Sequence, residues 1–398
     1  MSQNASETAH ILIDTPDDLD ALTAAAKETA RIGLDTEFMR EKTYRAQLCL
    51  VQVSAGDDIF IIDPLKVDTA PVAALVADPD VEVLLHAARQ DLELFNDLYG
   101  VVPTNVFDVQ AAAGFAGYGA SLSYGKLVEA TLGVALEKGE SYTDWCRRPL
   151  TEKQLKYAGD DVRYLGAIAD RLKDELDAGG RLKWALGEME TFEAPESYAF
   201  EPSVAWLRVK GRGTLNGRQL AVLRELAAWR EEEASRRDIP RGWVVKDPTL
   251  IELARRSPTS TNALRDIRGL NSKEADRSGR SIVGAVERGR DSESIKTAKP
   301  PSRSAQERAR MLSGLTDAVI RSRCEAAGVA TELVVTRSEV EGLLLDMFSG
   351  SLDESRHRVL EGWRRDLVGD AILGLAAGKI AVRVIERAPY VEEVDLDG

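Results

Sequence analysis

Residues 30–63, ARIGLDTEFMREKTYRAQLCLVQVSAGDDIFIID, decide the fold class. Three apolar runs stand in this stretch, ARIGLDTEF (30–38), AQLCLVQVS (46–54) and DIFIID (58–63), parted by polar segments around Glu41 to Arg45 and Ala55 to Asp58. Short runs rich in Ile, Leu and Val with polar connections predict strands joined as a meander of hairpins. Working outward, Val72 to Val76 reads as helical, VEVLLHA (81–87) as a fourth strand, Gln90 to Tyr99 as a helix and Val106 to Val109 as a short strand. Strands now alternate with helices, the pattern of an α/β sheet covered on its faces. After Ser121 the pattern is helical, first SYGKLVEATLG (123–133) and then TEKQLKYAGDDVRYLGAIADRLKDELDAGG (151–180). Thr151 with Gln154 forms a capping box at the start of the second run, and Gly179-Gly180 stops it.

The aperiodic, proline-containing segment FEAPESYAFEP (192–202) marks a domain boundary. Helices follow near Asn216 to Arg237, Pro248 to Arg256, Ser260 to Ile267 and Ser272 to Arg288. The polar segment DSESIKTAKPPSRS (291–304) reads as a linker, and further helices run from Ala305 to about Arg383 before a loose acidic tail. The division predicted is 1–200, 203–292 and 303–390, in keeping with 398 residues, since one core seldom grows past about 250–300 residues.

Composition excludes several classes of function. With 44% hydrophobic and 30% charged residues the chain has material for proper cores and is not a disordered one. No apolar run reaches the roughly 18–20 residues that span a bilayer, and MSQNASETAHILID lacks the basic-then-apolar pattern of a leader, so neither membrane attachment nor export is expected. Cys49, Cys146 and Cys324 are scattered and the only histidines are His10, His86 and His357, which argues against disulfide frameworks and zinc sites and fits a reducing cytoplasm. Any metal must then be held by oxygen, and 66 acidic residues are available. The net charge of −14 is uneven. Residues 203–310 carry 24 basic against 14 acidic side chains, an excess of ten positive charges, which leaves −24 on the remainder. Such asymmetry suits a polyanionic partner, and it equally suits an arginine-rich solvated helical surface.

Three short patterns carry candidate chemistry. Asp35-Thr36-Glu37 ends the first strand, where residues i and i+2 project to one side. Asp91 lies in the first turn of the helix after the fourth strand. Tyr157 and Asp161, four apart on a late helix, share a face, whereas Asp160 is turned about 100° away. Each pattern alone has a plainer reading: a solvated strand end, an acid favouring a helix dipole, and a buried tyrosine with a hydrogen bond.

Taken in order, DxE, then Asp, then YxxxD resemble the DEDD superfamily of 3′→5′ exonucleases in its tyrosine variety. The words LDTEF, QLCLVQVS, LLHAARQDLELF, VFDVQAAA and DWCRRPLTEKQLKYAGDDVRYL resemble those of the ribonuclease D family. GTLNGRQLAVLRELAAWREEEASRRDIP through LRDIRGL is similar to the helicase-and-RNase-D C-terminal (HRDC) domain, and RSEVEGLL with LEGWRRDLVGD to a further helical domain of bacterial homologues. The resemblance implies a ribonuclease H-like mixed sheet followed by two all-α bundles. It implies a metal-dependent 3′→5′ exoribonuclease that releases nucleoside 5′-monophosphates, with transfer RNA precursors as the substrate class and no obligate protein partner.

Carried over residue by residue, the metal ligands would be Asp35, Glu37, Asp91 and Asp161, holding two divalent ions, Mg²⁺ or Mn²⁺. Ions about 3.5–4 Å apart activate water and stabilise the leaving 3′ oxygen. Tyr157 is expected to align that water rather than to act as base, because a phenol of ordinary pKa near 10 is only about 0.1% ionised at pH 7. Asp160 is expected to be structural, as is Asp108. Thr36, Phe38, Met39 and His86 are candidates for the terminal nucleotides, with core packing the rival role for Phe38 and His86. Lys210, Arg212, Arg218, Lys273, Arg277 and Arg280 are candidates for the RNA backbone. Trp206, Trp229 and Trp243 lie among them and stack on bases or, as tryptophans more often do, fill the core. Two rivals remain open: a DNA exonuclease, since the chemistry does not read the 2′ hydroxyl, and a nucleic-acid-binding adaptor with a silent nuclease domain.

Overall fold

The computed structural model describes residues 10–137, 143–199, 201–296, 301–387 and 390–396, which form two compact units. One comprises residues up to Glu37, Leu50–Ser197 and the chain from Pro300 onward; the other comprises Phe38–Cys49 and Tyr198–Lys299. The break at Ser197–Tyr198 falls within the aperiodic segment 192–202.

The first unit is built on a six-stranded sheet with strands β1 (His10–Ile13), β2 (Arg31–Met39), β3 (Gln47–Ala55), β4 (Asp58–Ile62), β5 (Glu82–Leu85) and β6 (Val106–Asp108) in the order β1-β4-β3-β2-β5-β6. β3 and β4 are antiparallel, with Val53 opposite Phe60, while β1 runs parallel to β4, and β5 parallel to both β2 and β6. Nearly every residue of β3 and β4 is buried, which explains why both read as apolar runs without alternation. β1 and α1 (Pro16–Thr29), which the sequence reading leaves unassigned, complete one edge. Helices α2 (Ala70–Val76), α3 (Arg89–Tyr99), α4 (Val109–Phe115) and α5 (Tyr124–Leu132) follow, then α6 (Glu152–Arg163), α7 (Leu165–Ala178) and α8 (Leu182–Glu193). The run 151–180 is thus two helices rather than one. At the break the N–H of Tyr164 donates to the Tyr124 hydroxyl (3.2 Å). The capping box of Thr151 and Gln154 is formed as predicted.

In the second unit, α9 (Gly217–Arg237), α10 (Arg241–Val244), α11 (Asp247–Arg256) and α12 (Ser272–Asp291) enclose a core of Leu223, Leu226, Trp229, Leu250, Leu253, Ile282 and Val286. Tyr44, between β2 and β3, joins this core; its hydroxyl donates to Glu231 (3.1 Å), and Asp238 accepts the N–H groups of Tyr44 and Arg45 (3.1 Å each).

The chain returns to the first unit with α13 (Arg303–Ala327), α14 (Thr331–Val334), α15 (Arg337–Ser349), α16 (Gly362–Arg364) and α17 (Asp370–Ala377). The stretch 303–390, which the sequence sets apart as a bundle, shares its core with the nuclease helices. Trp363 stacks on Trp184 at 5.0 Å and meets the edge of Phe115 at 5.4 Å, and Arg364 pairs with Glu188. Over Val391–Asp395 the acidic tail is not loose. Strand β8 (Val391–Asp395) pairs antiparallel with β7 (Ile380–Val384), and Glu393 takes a two-point ion pair from Arg323 (2.6 and 2.9 Å). The fold class stands, a mixed α/β domain followed by helices, with this hairpin added. A further correction concerns the cysteines. Cys49 and Cys146 are each disulfide-bonded and Cys324 is free, where the scattered spacing argued against disulfides. Among the described residues no helix is long and apolar enough to cross a membrane.

Candidate active site

Local features bring the acids to one end of the sheet. Gly33 lets neighbours close over β2: a Cβ there would lie 2.3 Å from Ser54 Oγ and 3.1 Å from Leu165. Two residues on, Asp35 projects to the same side of the strand as Gly33, followed by Glu37. On β3, Ser54 Oγ donates to the carbonyl of Val162 (3.0 Å), fixing α6 to the sheet beside Asp161. Asp91 is placed by Asp108, whose carboxylate accepts the N–H groups of Ala87 (3.1 Å) and Ala88 (3.0 Å) just before α3. The same carboxylate caps α4 through the N–H of Gln110 (2.8 Å). Asp108 is structural as expected, and it sets the entry of the helix that carries Asp91. Ala87, at φ +62°, makes the corner between β5 and α3.

Asp35, Glu37 and Asp161 each offer a carboxylate oxygen, and these oxygens lie within 4.8 Å of one another. Asp91 stands beside this triad, buried, with Oδ1 accepting the hydroxyl of Thr36. The charges acting on the cluster are negative. Loss of hydration, then the charges of Asp161, Asp91 and Glu37, push the Asp35 carboxyl well above the usual range. Burial first, then Asp161 and Asp91, raise Glu37 to about 8. Burial raises Asp161 to about 7, against the hydrogen bond it takes from Tyr157, and raises Asp91 to about 6 despite the bond from Thr36. Crowded carboxyls that resist ionisation, all of them oxygen donors, fit hard divalent cations.

The remaining sequence candidates divide. Tyr157 shares its face with Asp161 and bonds to it, while its ring lies 5.9 Å from that of buried Trp145. Asp160 turns away to pair with Arg163 (3.1 Å). Thr36 is buried with its hydroxyl committed to Asp91, so it orients a carboxylate where contact with a nucleotide was the expectation. His86 Nε2 is paired with the carbonyl of Leu122 (2.9 Å) and its ring meets the edge of Tyr124 (5.6 Å). Phe38 and Met39 are half-buried at the end of β2, and the guanidinium of Arg40 lies 5.8 Å from the centre of the Phe38 ring. Outside those candidates, Arg148 just before α6 is held in a bidentate pair with Asp63 (2.7 Å for each bond).

Sequence reasoning missed Tyr124 and Gln52. Burial first, and then the charges of Asp161 and Asp35, push the Tyr124 phenol up. Gln52 is fully buried on the same face of β3 as Ser54, with both side-chain polar atoms unpartnered among the described residues. Its signal in sequence was a polar residue in the middle of the apolar run of β3.

In the second unit Lys210, Arg212, Lys273, Arg277 and Arg280 are exposed. Arg218 is exposed too, but its guanidinium donates to the carbonyls of Arg290 (3.1 Å) and Ser292 (2.7 Å). Several of the unit's basic side chains are paired with acids, as in Arg230–Asp247, Arg237–Glu274 and Arg256–Glu252, which leaves the positive excess to the others. Arg265, Arg277 and Arg280 instead converge on a hollow of about 440 Å³ whose lining holds a single acid, Asp276. Of the three tryptophans in doubt, Trp229 is core, Trp206 is half-buried and Trp243 is 62% exposed.

Comparison with known proteins agrees with this geometry. Residues 10–177 match a family described as 3′-5′ exonuclease and residues 219–286 match the HRDC domain. Ribonuclease D of Gluconacetobacter diazotrophicus is 36% identical over 380 residues, covering 94% of either chain. Ribonuclease D of Acidiphilium cryptum is 36% identical over 403 residues, covering 100% of both. Among solved structures, Escherichia coli RNase D, described as an exoribonuclease involved in structured RNA processing, superimposes with a TM-score of 0.79 at 32% identity, over 93% of this chain and 99% of the other.

Proposed function

The chain belongs to the ribonuclease D family, and on that premise we propose that Asp35, Glu37, Asp91 and Asp161 hold two divalent cations, Mg²⁺ or Mn²⁺, at a site that trims transfer RNA precursors from the 3′ end. The protein is a 3′→5′ exoribonuclease with a metal-dependent nuclease domain. The observation that carries the assignment is the triad of carboxylates within 4.8 Å, each raised or crowded by its neighbours' charge. Ions bound there supply the positive charge that acidifies water and stabilises a departing oxygen. The side chains do the rest. Thr36 holds Asp91 in one orientation, Asp108 fixes the helix beneath it, and Tyr157 presents a hydroxyl that donates a hydrogen bond to Asp161 and can align the attacking water. A water oxygen loses a proton to solvent and bonds to phosphorus, the bond from phosphorus to the penultimate 3′ oxygen breaks, and that oxygen takes up a proton from solvent to become a 3′ hydroxyl. The products are a nucleoside 5′-monophosphate and an RNA one nucleotide shorter.

The body of the RNA is proposed to lie on the basic surface of the second unit, with Arg265, Arg277 and Arg280 as phosphate contacts. Lys210, Arg212 and Lys273 are exposed and serve the same attraction, whereas Arg218 is occupied by backbone carbonyls. No protein partner is invoked. The compartment proposed is the cytoplasm; the disulfide-bonded Cys49 and Cys146 weigh against it, and trapping of free thiols in intact cells decides the point.

The test is digestion of a 3′-extended transfer RNA, and of a DNA strand of the same sequence, by the wild type and by Asp35→Asn. The expected result is stepwise shortening of the RNA only with Mg²⁺ or Mn²⁺, and none by the variant. Faster digestion of DNA would favour the DNA exonuclease, and RNA bound without shortening would favour the adaptor.

A further inference from the structure

Where α10 meets α11, the second unit contains a hollow of about 920 Å³ lined by Trp243, Lys246, Glu252, Arg256 and Arg268, which has no part in the chemistry described above. Its tryptophan is placed by the local sequence. In RGWVVKDP, Val244 and Val245 are buried in the core of the unit, so the one-turn helix turns Trp243 outward. A large apolar ring left 62% exposed forgoes much of the stabilisation that burial gives a side chain of its size. The floor is also built. Gly269 sits at φ +86°, and a Cβ there would lie 2.6 Å from Thr249 Oγ1, so the backbone of this turn closes directly onto α11. Arg256 is held by Glu252 (2.6 Å) and by the carbonyl of Asp266 (3.3 Å), which neutralises the one carboxylate of the lining. Lys246 and Arg268 are exposed and make no ion pair among the described residues. The hollow therefore carries an accessible aromatic face and a net positive rim.

We propose that this hollow is a nucleotide subsite, in which an unpaired base of the RNA stacks on Trp243 while Lys246 and Arg268 neutralise the adjoining phosphates. An aromatic face binds any base, and cations beside it track the backbone, so the site suits single-stranded RNA irrespective of sequence. The inference rests on the reading that the second unit contacts RNA, and the test separates the two. Binding of a single-stranded oligoribonucleotide is followed by fluorescence anisotropy on the full chain in chelator, where no RNA is consumed. Trp243→Ala is expected to weaken binding about 5- to 100-fold, with Trp243→Phe recovering most of the loss. The double variant Lys246→Gln/Arg268→Gln should reduce the slope of log affinity against log salt by about 1.4. Wild-type affinity in Trp243→Ala, or an unchanged salt slope in the double variant, overturns the subsite while leaving the nuclease assignment intact. If the wild type itself fails to bind the oligonucleotide, the premise falls with it. A duplex bound as tightly as the single strand, and equally weakened by Trp243→Ala, would also overturn it, since a paired base has no free face to offer.

Discussion

Raising the pH of the metal-free protein from 5 to 8 should destabilise it, and bound Mg²⁺ should abolish the effect. Glu37 is lifted from 4.5 to about 8 and Asp161 from 3.8 to about 7, so between pH 4 and 8 the folded chain holds protons that the unfolded chain has released. With more protons bound in the folded state, stability falls as pH rises through this window. At about 1.4 kcal/mol per proton for each pH unit, either group alone accounts for roughly 3 kcal/mol between pH 5 and 8. The two ionise against each other, so the single-group figure sets the scale. For a unit of this size about 3 kcal/mol corresponds to a melting temperature lowered by roughly 5 °C. The assay is differential scanning calorimetry at pH 5, 6, 7 and 8, each with chelator and with 10 mM Mg²⁺, a probe concentration of about 10⁻² M chosen to exceed ordinary dissociation constants. The gap between the two conditions isolates the site from other titrations, and it should widen steadily toward pH 8. Asp161→Asn, which removes one of the charges, should narrow it. A gap independent of pH, or one that shrinks as pH rises, would refute the view that these carboxyls are an uncompensated anionic cluster.

Three further outcomes follow from the same geometry. Tyr157→Phe should keep the stabilisation by metal and the affinity for RNA but lose on the order of 10² to 10⁴ in turnover, measured in single-turnover digestion; full activity removes its role. Asp160→Asn should digest RNA nearly as the wild type does, because the side chain faces Arg163, whereas Asp161→Asn should be inactive; equal loss in both would mean that the ion pair misplaces the true ligand. Thr36→Val keeps the shape of a buried side chain but deletes the bond to Asp91, so Mn²⁺ affinity by calorimetric titration should fall roughly tenfold, and unchanged affinity would show that Asp91 needs no such support.

The sheet and the acids were legible because they are local. β2, β3 and β4 lie in one stretch whose apolar runs and polar breaks are strand signals in themselves, and the capping box of α6 is written within four residues. β1 escaped because HILI is four residues long at the edge of the sheet and has two exposed positions. The break at Tyr164 depends on Tyr124, forty residues away, and no helical pattern reports such a bond. The tail strand reads as acidic and loose until Ile380–Val384 and Arg323 are brought beside it. Within the site, the order of the acids pointed to the cluster, but the bond that diverts Thr36 from the substrate to Asp91 exists only in three dimensions. Trp243 shows the opposite lesson: its spacing suggested core, and its two valine neighbours took the core positions instead.

The central claim is that Asp35, Glu37, Asp91 and Asp161 together hold paired cations. Crystals grown with Mn²⁺ and measured for anomalous scattering test it most directly. Two peaks among the carboxylates of Asp35, Glu37, Asp91 and Asp161 are the result predicted. Mn²⁺ found elsewhere, with these four side chains free of it, would contradict the account.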